Sequence, residues 1–207
     1  MLLRSKGYTA VALPHLENLV VLMERAPPSP PHGPTCRRPI ISIGSARAGR
    51  SPCYRHTNGM KVNLTGTGEP ERVQAVRTAA NFFDVLGAKP ILGRGFPPEE
   101  ERAGQSQTVV LSYGLWQRRF GGDRTIVGQT IKVDGLGRVV TGVMDKKFNF
   151  PVSAELWVPW TMDPQASQVR GRHYLQVVAR LNGGVSIRRA SAEMAAVSRR
   201  MAEQYPD

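Results

Sequence analysis

The acid and base candidates of this 207-residue chain are His173 and the run Glu99-Glu100-Glu101. A hydrolase would need a nucleophile, a base and an oxyanion site, and no G-x-S-x-G motif supplies the nucleophile. His173, beside Tyr174, falls in a strand pattern, where a structural role is favoured. The acidic run follows Pro97-Pro98 and suits an exposed first helical turn, stabilised by the helix dipole, better than a cation site. We therefore predict no catalytic residue.

Glycine, cysteine and aromatic residues give no stronger site. The stretches 135-GLGR and 121-GGD match neither phosphate-loop spacing, because no G-x-x-x-x-G-K-[ST] and no strand–G-x-G-x-x-G–helix order occurs. Cys36 and Cys53, with four scattered histidines, make no zinc pattern, and unpaired thiols are favoured over a disulfide. Trp116 near Arg118 could stack on a nucleobase, but its periodicity places it inward. We predict no cofactor-binding and no metal-binding residue.

The net charge of +12 raises the question of nucleic acid or anionic lipid as a partner. Residues 1–60 hold eight Lys/Arg and two acidic residues, so half of the excess lies in less than a third of the chain. The rest is spread thinly and forms no single binding surface. The longest apolar run, 19–23, is far shorter than the roughly 20 residues of a membrane span. The basic N-terminus lacks the continuous apolar region of a signal peptide.

Composition divides the chain into three parts: an N-terminal segment 1–25, a Pro/Arg-rich segment 26–57 and a regular region 58–207. Between Glu24 and Glu69 no acidic residue occurs, and prolines crowd the start of the middle segment. No period of 2 or 3.6 can be traced there, so it cannot bury enough apolar surface to offset chain entropy. We predict disorder or a poorly packed loop for 26–57, with a linker favoured over a basic binding arm.

The stretch 81-NFFDVLGAKPILGRGF-96 predicts framework. A strand at 71–79 leads into it, Asn81 can cap a short helix over 82–86, and Gly87 can end that helix in a left-handed conformation. The Asn58-Gly59 pair before it is a turn signal. The phenylalanines are core anchors, and the glycines serve backbone geometry.

Later elements alternate between strand and helix. The sequence predicts a buried strand at 108–111, a helix capped by Ser112 with Tyr113, Trp116 and Phe120 on one face, a hairpin at Asp134-Gly135, strands at 154–160 and 173–181, and a final amphipathic helix after Ser186. This pattern indicates an α+β domain with a mixed or antiparallel sheet and helices packed on one face.

Several ordered blocks together resemble one family. The strings 78-TAANFFDVLGAKPILGRGF, 109-VVLSYGLWQRRFGGD, 126-IVGQTIKVDG, 142-GVM and 155-ELWVPW are similar to the MacB-like periplasmic core domain of FtsX-type ABC-transporter permeases. The resemblance covers about 58–207, and 2–22 is similar to the segment that follows the first membrane helix of these permeases. We expect a partial chain, an incomplete two-subdomain core domain without its membrane helices. The family pattern is absent between Arg25 and Tyr54, which a translation-frame disturbance would explain.

The resemblance implies a non-catalytic role at the periplasmic or extracytoplasmic face of the bacterial inner membrane. Such a domain transmits conformational change during export, or contacts a periplasmic adaptor. The implied partners are the remaining permease with its membrane helices, a cytoplasmic ATPase domain or subunit, an adaptor and a second copy of the permease. No nucleic acid is expected. Two alternatives stay open from the residues themselves: a basic nucleic-acid-binding protein and a small secreted hydrolase.

Overall fold

The computed structural model describes residues 7–12, 19–25, 53–66, 68–97, 100, 107–160 and 176–204. The chain divides into two compact units. The first comprises Met1–Cys53 with Val169–Asp207, and the second comprises Tyr54–Gln168. Cys36 and the greater part of the Pro/Arg-rich segment lie outside the described residues.

Within the residues that the structure describes, the first unit contains three antiparallel strands and one helix. Strand β1 is Gly7–Ala12, β2 is Leu19–Arg25 and β10 is Gln176–Arg180; β2 pairs with both of the others. Helix α3, Ile187–Gln204, packs against β1. It begins at the predicted cap, where the Arg189 backbone N–H donates to Ser186 Oγ at 3.2 Å. The buried side chains described here are small or aliphatic: Leu19, Val178, Ala179, Leu181 and Ala190.

The second unit is built on a sheet that closes on itself. Its strands are β3 Cys53–Thr65, β4 Glu71–Thr78, β5 Leu92–Gly93, β6 Thr108–Leu111, β7 Thr130–Val133, β8 Leu136–Val143 and β9 Leu156–Pro159. The hydrogen-bonded order runs β3-β4-β9-β6-β8-β7 and returns from β7 to β3. The β4–β9 and β6–β8 pairs are parallel and the other four are antiparallel. The described part of this unit is therefore a small mixed barrel, with β5 as a short extra strand on β8.

The barrel interior is aliphatic because alternate residues of each strand point inward. The inward residues are buried: Val62, Leu64, Val73, Ala75, Val109, Leu111, Ile131, Val133, Val140, Val143, Leu156 and Val158. The three-residue step from Val140 to Val143 would break the alternation. A register shift in the β6–β8 pairing inserts the extra residue, so both valines face the core.

Two short helices serve different sides of this barrel. Helix α2, Tyr113–Phe120, sends Leu115 and Trp116 into the inner core. Helix α1, Phe82–Leu86, places Phe82 and Phe83 in an outer aromatic cluster instead. That outer cluster consists of Phe82, Phe83, Phe96, Phe148, Phe150 and Trp157. The α+β class and the mixed sheet are confirmed. Because the sheet closes on itself, α2 packs against its inner side and α1 packs against its outer side.

The seam between β3 and β7 is locked by the hairpin turn. Asp134 and Gly135 have φ of 50° and 78°, as a two-residue type I′ turn requires, so the predicted Asp-Gly hairpin is confirmed. The Asp134 backbone N–H donates to Asn63 O at 2.9 Å, and the Asn63 backbone N–H donates to Asp134 Oδ1 at 2.8 Å. The same residue thus turns one hairpin and closes the barrel.

Several local predictions need correction. Asn58-Gly59 lies inside β3 rather than in a turn. The pairing of β3 with β4 shifts register between Arg55 and Met60, and a glycine inside a strand often marks such a bulge. Strand β3 begins at Cys53, inside the segment predicted as 26–57. Helix α1 ends at left-handed Gly87 as predicted, but the Asn81 side chain makes no capping hydrogen bond.

Two strands of the first unit were not anticipated as strands. Leu19–Arg25 carried only a short apolar run, and Gly7–Ala12 carried no period. The predicted strand at 173–181 appears as Gln176–Arg180 within the described residues. His173 itself lies outside them.

Candidate functional site

The residues weighed as chemical candidates are dispersed through the second unit or lie outside the described part. His173, Tyr174, Glu99 and Glu101 belong to the latter group. Glu100 is buried, and one of its carboxylate oxygens accepts from the Gln107 backbone N–H at 3.0 Å. That bond links Glu100 to the residue immediately before β6. Glu100 therefore has a structural partner, and the prediction of no catalytic residue stays a prediction.

Trp116 faces inward, as its helical periodicity predicts. Its ring is buried, and Nε1 donates to Asp123 O at 2.8 Å. Tyr113 meets it edge-on, with ring centroids 5.6 Å apart. Leu115, which the predicted face omitted, is fully buried. Because the indole is covered and hydrogen-bonded, it does not present a stacking surface for a base.

The densest polar cluster of the described residues is an ion pair network on the barrel surface. Arg118 Nη2 lies 2.6 Å from Glu71 Oε1 and 2.6 Å from Glu155 Oε1. Glu155 also accepts from the Gln74 backbone N–H at 2.9 Å. The hydrogen bond to Glu155 has the largest effect and raises the pKa of Arg118. Burial, the next largest effect, lowers it, and the hydrogen bond to Glu71 raises it further, so the pKa lies above its ordinary value. The network joins α2 to the first residue of β4 and to the residue immediately before β9.

A second charged group lies at Arg138 on β8. Burial, followed by repulsion from Arg77 on β4, lowers the pKa of Arg138, while attraction from Glu100 and Asp134 partly offsets this. Arg138 stands opposite Ile131 in the β7–β8 ladder, so it shares the inward side of the barrel wall. This places a guanidinium near the end of the apolar interior.

The Arg118 network links α2 to two strands of the barrel. The described residues contain no group of three His, Cys, Asp or Glu side chains that could hold a metal ion. Sequence reasoning missed the Arg118 network, since its three members are 37 and 47 residues apart. No local signal relates such distant charges. The pairing of β9 with both β4 and β6 brings them together.

The architecture is shared with solved domains of ABC transporters. A crystal structure of the periplasmic region of MacB from Actinobacillus actinomycetemcomitans superposes with a TM-score of 0.56 and 17% identity, covering 73% of this chain and 67% of that one. The extracellular domain of the ABC-type transporter YknZ from Gram-positive bacteria gives 0.56 and 15% identity, covering 80% and 79%. At these identities the likeness shows the fold alone.

The sequence supplies the family. The pattern of the MacB-like periplasmic core domain matches residues 12–197, and the chain belongs to that family. The family groups it with transporter components rather than enzymes. The secreted-hydrolase alternative is thereby set aside.

A curated relative is several times longer than this chain. The macrolide export ATP-binding/permease protein MacB of Burkholderia cenocepacia is 32% identical over 145 residues, which cover 68% of this chain and 19% of that protein. The chain thus spans about a fifth of the length of this relative. None of the described helices is both long and apolar enough to cross a lipid bilayer.

Proposed function

We propose that this domain is a non-catalytic part of an export permease and that it transmits conformational change outside the membrane. In this proposal, movement of membrane helices reaches the domain, which passes it to a substrate or to a periplasmic adaptor. The energy comes from a cytoplasmic ATPase domain or subunit. Two copies of the permease would act together, as the resemblance implied. No nucleic acid takes part.

The observation that carries the proposal is family membership combined with a closed barrel. A domain that transmits movement must keep its shape under load, and close-packed interiors transmit strain because they compress little. The second unit fulfils this requirement through its aliphatic interior, its closed hydrogen-bonded ring and the Asn63–Asp134 seam. None of these features needs a bound ligand.

A seam variant tests transmission separately from energy supply. In a permease carrying this domain, Asp134→Ala removes the acceptor of the Asn63 N–H, whereas Asp134→Asn keeps a side-chain oxygen there and tolerates the left-handed backbone. We expect Asp134→Ala to lower transport several-fold with unchanged ATP hydrolysis, and Asp134→Asn to retain most transport.

Hydrogen exchange at the Asn63 amide supplies the control. If Asp134→Ala increases that exchange while transport is unaffected, the barrel does not transmit the movement and the proposal fails. Parallel loss of transport and ATP hydrolysis would place the domain in energy supply instead, which also contradicts it.

A further inference from the structure

The chain contains two Asn-Gly pairs, and the structure places them in different surroundings. Asn58-Gly59 lies inside β3, and Asn182-Gly183 lies in the turn between β10 and α3. An Asn-Gly pair is prone to deamidation, because the glycine nitrogen can attack the asparagine side-chain amide and glycine has no side chain to obstruct the approach. The backbone around each pair therefore decides whether the reaction occurs in the folded chain.

The turn at Asn182 is closed by a backbone hydrogen bond. The Val185 N–H donates to Asn182 O at 3.1 Å, and Gly184 has φ of 78°, as the third residue of a type II turn requires. The β2–β10 ladder ends before this turn, at the Arg180–Leu19 pair. A rotation about the ψ angle of Asn182 therefore disrupts this turn bond without breaking a pair of the β2–β10 ladder.

The Gly183 amide is accessible. Gly183 is exposed, and a methyl group built on it would have no other atom within 4 Å. Within the described part of the chain, no acceptor is bonded to the Gly183 N–H, because the turn bond uses the N–H of Val185 instead. The Gly183 nitrogen can therefore lose its proton to hydroxide and act as a nucleophile. The Asn182 side chain is only half-buried, so it can move towards that nitrogen.

The Asn-Gly pair in β3 is held by strand pairing. Strand β3 pairs with β4 on both sides of Asn58-Gly59, at Arg55–Arg77 and at Met60–Ala75. Ring closure requires the asparagine ψ angle to leave its extended value, and the paired residues on either side oppose this rotation. The same dipeptide is thus fixed in a strand at one place and exposed in a turn at the other.

We propose that Asn182 is a site of spontaneous deamidation in the folded chain and that Asn58 is protected from it. The Gly183 nitrogen bonds to Asn182 Cγ, and Nδ2 leaves as ammonia after taking up the proton of the glycine amide. Water opens the resulting five-membered imide at either carbonyl and gives aspartate or isoaspartate.

Both products add a carboxylate to the turn. In isoaspartate the chain runs through Cγ, so the link from β10 to α3 is one carbon longer. The former Asn182 O, which accepts from the Val185 N–H, then belongs to the new carboxylate. The reaction therefore changes both the charge and the geometry of the turn before α3.

Peptide mapping of the full chain tests both assignments. The folded chain and a sample unfolded in guanidinium chloride are aged in mildly alkaline buffer, cleaved with trypsin and analysed by mass spectrometry, with an unaged sample as background. Trypsin places the two pairs in separate peptides, 181-LNGGVSIR-188 and 56-HTNGMK-61. We expect deamidation at Asn182 to be at least about tenfold faster than at Asn58 in the folded chain, and the two rates to agree within about threefold in the unfolded chain.

A smaller difference in the folded chain would overturn the distinction between turn and strand. We also expect the rate at Asn182 in the folded chain to stay within about tenfold of its rate in the unfolded chain. A greater reduction would mean that the fold protects the turn as well, which contradicts the proposal.

Two substitutions at Gly183 test the nucleophile. Gly183→Pro removes the N–H and suits the second position of a type II turn, so deamidation should fall to the background. Gly183→Ala keeps the N–H and adds a methyl group for which the turn has room, so deamidation should be at least about threefold slower. Circular dichroism establishes that each variant is folded. An unchanged rate in folded Gly183→Pro would show direct hydrolysis and overturn the attack by the Gly183 nitrogen.

Discussion

The two faces of the barrel wall are packed with different kinds of side chain. The inner face is aliphatic, and each strand of the ring contributes to it. The outer face around β9 is aromatic, and Phe83 touches four other rings at centroid distances of 5.4–5.8 Å. Residues of the inner face come from the strands of the ring, with α2 and one turn added. Most rings of the outer cluster come from segments between strands.

This contrast separates two tasks. Aliphatic side chains fill the narrow interior, where alternation along strands fixes their positions. Aromatic rings cover more area and pack edge-on, so a few of them can fasten a helix and two connecting segments onto one strand. Trp157 is the strand residue at the centre of that outer cluster, and it is fully buried.

The largest expected effect is from Trp157→Ala. We expect it to lower the free energy of unfolding by about 3–5 kcal/mol, because it removes a fully buried ring and leaves a cavity. Chemical denaturation measures this change. Leu111→Ala on the inner face should cost about 2–5 kcal/mol for the same reason.

The double variants sharpen the distinction between faces. Trp157→Ala combined with Phe83→Leu removes two touching rings, so their costs should depart from additivity by about 0.5–3 kcal/mol. Trp157→Ala with Leu111→Ala affects opposite faces and should depart less. A larger departure for the second combination would mean that the two faces pack as one.

Gly142→Ala should destabilise the domain by about 1–3 kcal/mol, through overpacking rather than through a cavity. Its new methyl group would clash with Arg94 O, because the chain leaving β5 lies directly against Gly142 of β8. Gly114 in α2 is the matched control, since nothing lies within 4 Å of a methyl group there. Gly114→Ala should stabilise the domain by about 0.5–1 kcal/mol. Thermal unfolding of both variants measures these changes. An unchanged stability of Gly142→Ala would contradict the close approach of Arg94 O to Gly142.

Arg118→Gln should have a smaller effect, under about 1 kcal/mol, because half of the Arg118 side chain is exposed and water screens its ion pairs. The difference from the unmodified protein should shrink as salt is added. Urea denaturation at two salt concentrations measures it. A salt-independent cost above 2 kcal/mol would show that packing of the arginine stem, rather than charge, joins α2 to the strands.

The smallest expected effect concerns Asp123, which caps the 3-10 turn Arg124–Ile126. The backbone hydrogen bond from Thr125, at 2.8 Å, lowers the pKa of Asp123 below its ordinary 3.8. A lowered pKa means that the stabilisation is complete above the unfolded-state value and is lost as the pH falls through the folded-state value. The stability difference between the protein and Asp123→Ala should therefore narrow below pH 3.8.

Asp123→Asn supplies the reference, since its amide oxygen can accept the same bond and does not titrate. Equilibrium unfolding across the acid range compares the three proteins. A difference from Asp123→Ala that stays constant through acid pH would mean that ionisation of the carboxyl group plays no part in the cap.

The sequence correctly predicted the elements that depend on one or two neighbouring residues. Ser112 accepts from the Leu115 backbone N–H at 3.1 Å, Gly121 ends α2 with φ of 61°, and Asp134-Gly135 turns the hairpin. Each follows from the stereochemistry of one or two residues. The inward position of Trp116 followed from helical periodicity.

Closure of the sheet could not be predicted from the sequence, because it depends on strand partners far apart in the chain. Nothing near Asn63 indicates Asp134, and nothing near Arg118 indicates Glu71 or Glu155. The turn expected at Asn58-Gly59 failed for a related reason: tertiary pairing with β4 continues the strand through a bulge there.

The Asn63–Asp134 bond has a consequence for biosynthesis, since its two residues are 71 positions apart. At roughly 5–20 residues per second of translation, β3 exists for roughly 4–14 s before its β7 partner has been made. During that interval the edge of β3 that will pair with β7 is unpaired, and its backbone N–H groups can bond to any neighbouring polypeptide. A factor that binds the nascent chain would have to prevent this intermolecular strand pairing until β7 has been made.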